Sequence, residues 1–153
     1  KEWKPILLRK SIMRKLIVLL LSIVVGQVNA FPLCPGIHTW HNVTSTDGQW
    51  SLTLQPINQQ GVFTDSSCNT LRTATLSSDA AFIYGFGFPA DADFDIAYTL
   101  TAVKKETSFE SKACVFVITA RGPAQPDIAA LSYHGAVCEW TRIPGVGEDF
   151  IVG

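Results

Sequence analysis

The chain has 153 residues, with 12 basic and 13 acidic side chains and a formal net charge of −1. Six of the basic residues fall in the first thirty positions, so the remaining 123 carry six basic against twelve acidic residues, a net charge of −6. Such a surface opposes nucleic-acid binding, which neutralises phosphates with Lys and Arg, and equally opposes electrostatic adhesion to anionic lipid. A segment of this length suits one domain with a core of its own.

The first element in chain order is an export leader over residues 1–30. Met13-Arg14-Lys15 is a short basic segment, with Met13 a candidate start, and Leu16 to Val25 is an apolar run interrupted only by Ser22. Gly26-Gln27-Val28-Asn29-Ala30 then supplies the small residues a signal peptidase reads, predicting cleavage after Ala30 and a mature N-terminus at Phe31. The run of ten residues is shorter than the ~20 a spanning helix needs, so no stable membrane anchor is expected after cleavage. Cys34 follows Phe31-Pro32-Leu33 and lacks the small residues of a lipid-attachment site.

Beyond the leader the pattern reads as strands. Ile37 to Val43 is the first. Trp50, Leu52 and Leu54 alternate with Gln49, Ser51, Thr53 and Gln55, the period of a strand with one wet face, and Pro56 stops it. Leu71 to Leu76 and Ala80 to Phe88 follow, then a second alternating set at Phe94, Ile96, Tyr98, Leu100 and Ala102. Ala113 to Ala120 is apolar on both faces and rich in β-branched residues, which predicts a central strand covered on both sides. Ile128 to Tyr133, Val137 to Ile143 and Phe150 to Val152 complete the set, and clusters such as Thr46-Asp47-Gly48, Asn58 to Gly61, Asp65-Ser66-Ser67 and Pro144 to Gly147 punctuate it. About nine short strands without an amphipathic helix predict an all-β, antiparallel β-sandwich spanning residues 31–153, with a small β-barrel as second choice. The immunoglobulin pattern is not met, because Ala136 stands where the Tyr of its Tyr-x-Cys corner belongs.

The four cysteines, Cys34, Cys68, Cys114 and Cys138, all follow the leader and predict two disulfides in an oxidising compartment, secreted or periplasmic. No C-x-x-C pair suggests zinc. Turn chemistry at Gly122 to Pro126 folds Cys114 back towards Cys138 if the flanking strands form a hairpin, which leaves Cys34 to tie the N-terminus to Cys68.

Four groups are weighed as functional residues. Phe82, Tyr84, Phe86 and Phe88 share one face of a strand; such a row is either core or a platform for sugar rings, while Gly85 and Gly87 opposite allow another backbone to come close. Tyr84, Trp40 and Trp140 are the candidate binding aromatics. Asp91, Asp93 and Asp95 begin like a calcium loop, but Ile96 and Ala102 stand where an EF-hand needs Gly and Glu. His38 and His41 fall on opposite faces of a strand and do not grip one ion, so neither metal nor cofactor is expected. Asn42-Val43-Thr44 matches a glycosylation sequon and reads as chance. The common hydrolase and nucleotide-enzyme motifs are missing. The function expected is a non-catalytic binding module for a protein or glycan partner. A small secreted hydrolase using Ser132, His134 and acidic loop residues is the second reading, and a structural envelope component the third.

Overall fold

A computed structural model describes residues 33–37, 39–58, 61–87, 95–104, 111–121, 125–144 and 147–153. The leader, His38, Phe88, Asp91 and Asp93 lie outside them. Ten strands are formed: β1 (Thr39–Ser45), β2 (Trp50–Pro56), β3 (Val62–Thr64), β4 (Thr73–Leu76), β5 (Ala81–Gly87), β6 (Asp95–Lys104), β7 (Lys112–Arg121), β8 (Asp127–Tyr133), β9 (Cys138–Ile143) and β10 (Gly147–Val152). They build two five-stranded sheets, β3-β5-β1-β10-β9 (sheet A) and β4-β2-β6-β7-β8 (sheet B). Every pair is antiparallel except β1 with β10. The architecture is a β-sandwich, not a closed barrel.

Alternation drives the packing. On β2, Trp50, Leu52 and Leu54 are buried while Ser51, Thr53 and Gln55 are exposed, so one face of the strand enters the core. Trp50, Tyr84, Tyr98, Phe63, Phe116 and Phe150 are fully buried between the sheets and supply most of the interior volume. Trp50 keeps its indole N–H satisfied by donating to the Asp47 carbonyl at 2.7 Å, in the turn that Lys104 clamps through Asp47 at 2.7 Å. β7 departs from the expectation of cover on both faces. Cys114, Phe116 and Ile118 face the core, whereas Val115 and Val117 are half-buried and Thr119 is exposed, so the outer side of sheet B is only partly covered over these residues by the described part of the chain.

The sides of the sandwich are closed differently. Near β3 and β4, Leu71 N donates to the Phe63 carbonyl at 2.7 Å and Leu54 N to the Arg72 carbonyl at 2.8 Å, so one connection hydrogen-bonds to both sheets. Near β8 and β9 the closure is covalent: Cys114 on β7 is bonded to Cys138 at the start of β9, with Cα atoms 5.5 Å apart. The second disulfide joins Cys34 to Cys68, Cα to Cα 5.4 Å. It holds residues 34–37 against sheet A, where a Cβ on Gly87 would run into the Gly36 carbonyl and one on Gly85 into Ile37 and Trp40. These bridges are compatible with an oxidising extracellular or periplasmic environment. Gly153 N and O exchange hydrogen bonds with Val137 at 3.0 and 2.6 Å, which pins the last strand beside β9.

Candidate functional site

The first aromatic candidate is internal. Tyr84 has no solvent exposure and its hydroxyl meets that of Tyr98 at 3.2 Å, so it is core and offers no surface platform. Burial pushes both phenols well above their ordinary titration range. Trp40 points to the outer side of sheet A but packs onto Gly85, the space left by the missing Cβ, and is only 9% exposed. It too is a structural residue: the short chain segment tied down by Cys34 covers that face. Trp140 alone of the three is accessible, at 36%.

Trp140 lies where, among the described residues, exposed large apolar side chains are most numerous. Of the eight large hydrophobic side chains exposed among the described residues, five (Leu131, Tyr133, Val137, Trp140 and Ile143) belong to β8, β9 and their turn. β8 is exposed along nearly its whole length, since it is the edge of sheet B. β9 is the edge of sheet A and pairs with β10 so that Trp140 opposes Phe150 and Arg142 opposes Glu148. Phe150 and Glu148 are buried, so Trp140 and Arg142 share the inward face of sheet A at its rim.

Arg142 fixes this rim. Its Nε donates to Glu148 Oε1 at 3.1 Å, Nη2 donates to the Pro126 carbonyl at 2.9 Å, and Nη1 donates to the Gln125 side chain. The guanidinium also lies 5.7 Å from the Trp140 ring centroid. One side chain therefore ties β9 to β10 and to the connection before β8. Glu148 is 5% exposed and its other oxygen lies 2.9 Å from Nδ1 of His41, itself buried. The hydrogen bond with His41, with Arg142 adding to it, holds the Glu148 carboxyl below its usual value although burial opposes the shift. The His41 ring lies against Tyr84, centroids 5.1 Å apart. The Glu148 carboxylate is thus held between two nitrogen-bearing side chains, and the inner one packs its ring against the core tyrosines.

Two clefts flank Arg142. The larger, about 430 Å3, is lined by the apolar Val117, Pro126, Ile128 and Ala129, by Thr119 and Asp127, and by Trp140 and Arg142. The smaller, about 280 Å3, is lined by Thr39, Gln125, Ile143, Pro144, Gly147 and Glu148 together with Arg142. Val117, Thr119, Asp127 and Ala129 belong to the outer face of sheet B, because they pair with one another across β7 and β8 and alternate with the buried Phe116 and Ile118. The larger cleft therefore wraps around the free edge of β8.

The other candidates do not gather here. Ser132 Oγ donates to the Ala136 carbonyl and closes the β8–β9 turn, in which His134 takes a left-handed φ of 54° beside Gly135. Both residues shape the turn. His41 is buried and His38 lies outside the described residues. No group of three metal-ligating side chains occurs among the described residues. Arg142, Asp127 and Glu148 escaped the sequence reading. Glu148 carried a signal, since it alternates with Phe150 and Val152 and so sits as a carboxylate on an apolar face.

The fold and this rim define a two-sheet, disulfide-bridged β-sandwich with a surface cleft at its edge. No protein-family model and no curated protein matches the sequence. Among solved structures the chain is similar to RahU protein, described in complex with a TRIS molecule, at a TM-score of 0.50 and 8% identity over 75% of this chain and 94% of that one. At that identity the likeness concerns the fold.

Proposed function

We propose that the protein is an exported, non-catalytic binding module that engages a partner through the β8–β9 side of its sandwich. The observation that carries this reading is the concentration of exposed apolar side chains on β8, β9 and their turn, Leu131, Tyr133, Val137, Trp140 and Ile143, of which Trp140 also lines a cleft with a few polar groups. Two features support a binding role over chemistry. Arg142, Glu148 and His41 are engaged in structural pairing and Ser132 within a turn, which leaves Asp127 as the one carboxylate lining that cleft among the described residues, with neither Ser132 nor a histidine in the lining beside it. The leader motif and the two bridges support work outside the cytoplasm.

The test is a screen of the biotinylated domain against a glycan array and a displayed peptide library, followed by substitution. Tyr133→Ser and Trp140→Ala should each weaken the selected ligand about tenfold, while Ile57→Ser, on the β2–β3 connection, should leave it unchanged. Equal effects from all three, or a ligand lost only with Ile57, would remove the β8–β9 side from consideration.

A further inference from the structure

We infer that the cleft beside Trp140 is a saccharide site that takes one uncharged pyranose unit of a glycan against the indole ring. This rests on the reading of the β8–β9 side as the binding surface and specifies its ligand. A sugar of this kind has an apolar C–H face and a rim of hydroxyls. Its site needs a flat aromatic surface held still, an apolar floor, and hydrogen-bonding groups at the edge.

Trp140 provides the surface. It is more than a third exposed, and the Arg142 guanidinium 5.7 Å from its centroid restrains it. Arg142 is itself anchored by Glu148 and the Pro126 carbonyl, so little side-chain entropy remains to be lost when a ligand arrives. Val117 and Ala129 line the cleft from the outer face of sheet B and Ile128 from the inner face, so the apolar lining follows the edge of β8. Asp127 supplies a carboxylate that accepts from hydroxyls, and Thr119, whose own proton goes to the Asp127 carbonyl at 3.5 Å, supplies a hydroxyl oxygen that accepts. Three of Arg142's five N–H groups are occupied by Glu148, Gln125 and Pro126, which leaves two to donate.

The charge pattern selects among ligands. The Arg142 cation is balanced by the buried Glu148, so the charge the cleft presents is that of Asp127. An acidic sugar or a phosphate meets an uncompensated carboxylate there, whereas neutral hydroxyls meet an acceptor. The volume of about 430 Å3 lies towards the lower end of ligand sites and suits a short stretch of glycan. An extended peptide pairing with β8 is disfavoured for a separate reason. The cleft wraps around that edge, with Arg142 bonded to the Pro126 carbonyl just before the strand, so Arg142 and Trp140 stand where an added strand would begin.

The experiment titrates the exported domain with cellotetraose, chitotetraose, maltotetraose, xylotetraose and mannotriose, and with oligogalacturonate as the acidic comparator. Binding is followed by tryptophan fluorescence and by amide shifts in 15N-labelled protein. At least one neutral oligosaccharide should bind with a Kd of about 1 mM or tighter and shift the amides of residues 117–119, 127–129 and 140–142. Trp140→Ala should then weaken it about tenfold, Asp127→Asn about threefold, and Trp140→Phe little, while circular dichroism verifies that each variant is folded. Absence of binding by every neutral sugar, a preference for oligogalacturonate, or affinity indifferent to Trp140→Ala would overturn the saccharide site. A peptide from the displayed library that binds and is lost with Trp140→Ala, in the absence of any sugar response, would overturn it while leaving the β8–β9 surface standing.

Discussion

Glu148 shows how a single buried charge is made tolerable. A carboxylate 5% exposed carries a large desolvation cost, which is offset here by Arg142 on one oxygen and His41 near the other. The buried hydroxyls of Tyr84 and Tyr98 hydrogen-bond to each other, so neither is stranded in the core. The folded Glu148 carboxyl lies below its ordinary value of 4.5, with the His41 hydrogen bond as the first cause and Arg142 adding to it. Its contribution to stability is therefore fully present above about pH 4.5 and is lost as the pH falls through the lower folded value. Glu148→Gln should cost about 2 kcal/mol at neutral pH, since it removes the charge and leaves Arg142 and His41 facing a neutral amide. Urea unfolding of the two proteins at pH 7, 5 and 3.5 measures this. The gap between them should hold from pH 7 to 5 and narrow at 3.5, and a gap of constant size would mean that the pair with His41 and Arg142 contributes nothing that depends on charge.

At the level of strands, residue type and alternation were enough to locate most of the sandwich. β2 and β6 were legible because their alternation is uninterrupted, and the turn residues around them place the ends within one or two positions. β3 was missed: three residues, Val62 to Thr64, between Gly61 and Asp65-Ser66-Ser67 leave no room for a period to show. The double apolarity of Ala113 to Ala120 suggested cover on both faces, but apolar composition does not say which neighbours exist, and Val115 and Val117 on the outer side are only half-buried. The candidate site was hidden for the same reason. Trp140 was visible as an aromatic residue, but its nearness to Asp127 depends on β9 and β8 forming the edges of opposite sheets, and no local pattern encodes that. The close approach at β5 was legible, because glycines on alternate positions invite a backbone. Gly87→Ala would place a Cβ against the Gly36 carbonyl and the Ile37 side chain, and the Cys34–Cys68 bridge keeps that segment from retreating. The substitution should cost about 1 to 3 kcal/mol in chemical denaturation, and distinctly less in a Cys34→Ala, Cys68→Ala background where the segment is free to move. An equal cost in both backgrounds would show that the crowding is not imposed by the bridge.

Across the whole molecule the two disulfides close loops of similar size but act on different structures. The cysteines are separated by 34 and 24 residues, and the chain-entropy model assigns each bridge about 3 to 4 kcal/mol, with a difference between them of only about 0.3 kcal/mol. Placement breaks the tie. Cys114 is fully buried in the core on β7 and its partner opens β9, so that bridge fastens sheet B to sheet A. Cys34 and Cys68 join the segment before β1 to the connection after β3, so cutting their bridge frees residues 33–37 and uncovers Trp40 while both sheets keep their ladders. Cys114→Ala with Cys138→Ala should accordingly lower global stability by the full loop term and add the cost of removing a packed sulfur from the interior, about 4 to 5 kcal/mol in all. Cys34→Ala with Cys68→Ala should lower it by less. Its main effect should be local, with faster amide exchange in β1 and β5 near Trp40 and unchanged protection in β6 and β7. Chemical denaturation together with hydrogen exchange of both double variants distinguishes these outcomes. Equal global losses, or exchange that accelerates uniformly in the variant lacking Cys34 and Cys68, would mean that loop entropy alone governs both bridges and that the segment before β1 belongs to the same cooperative unit as the core.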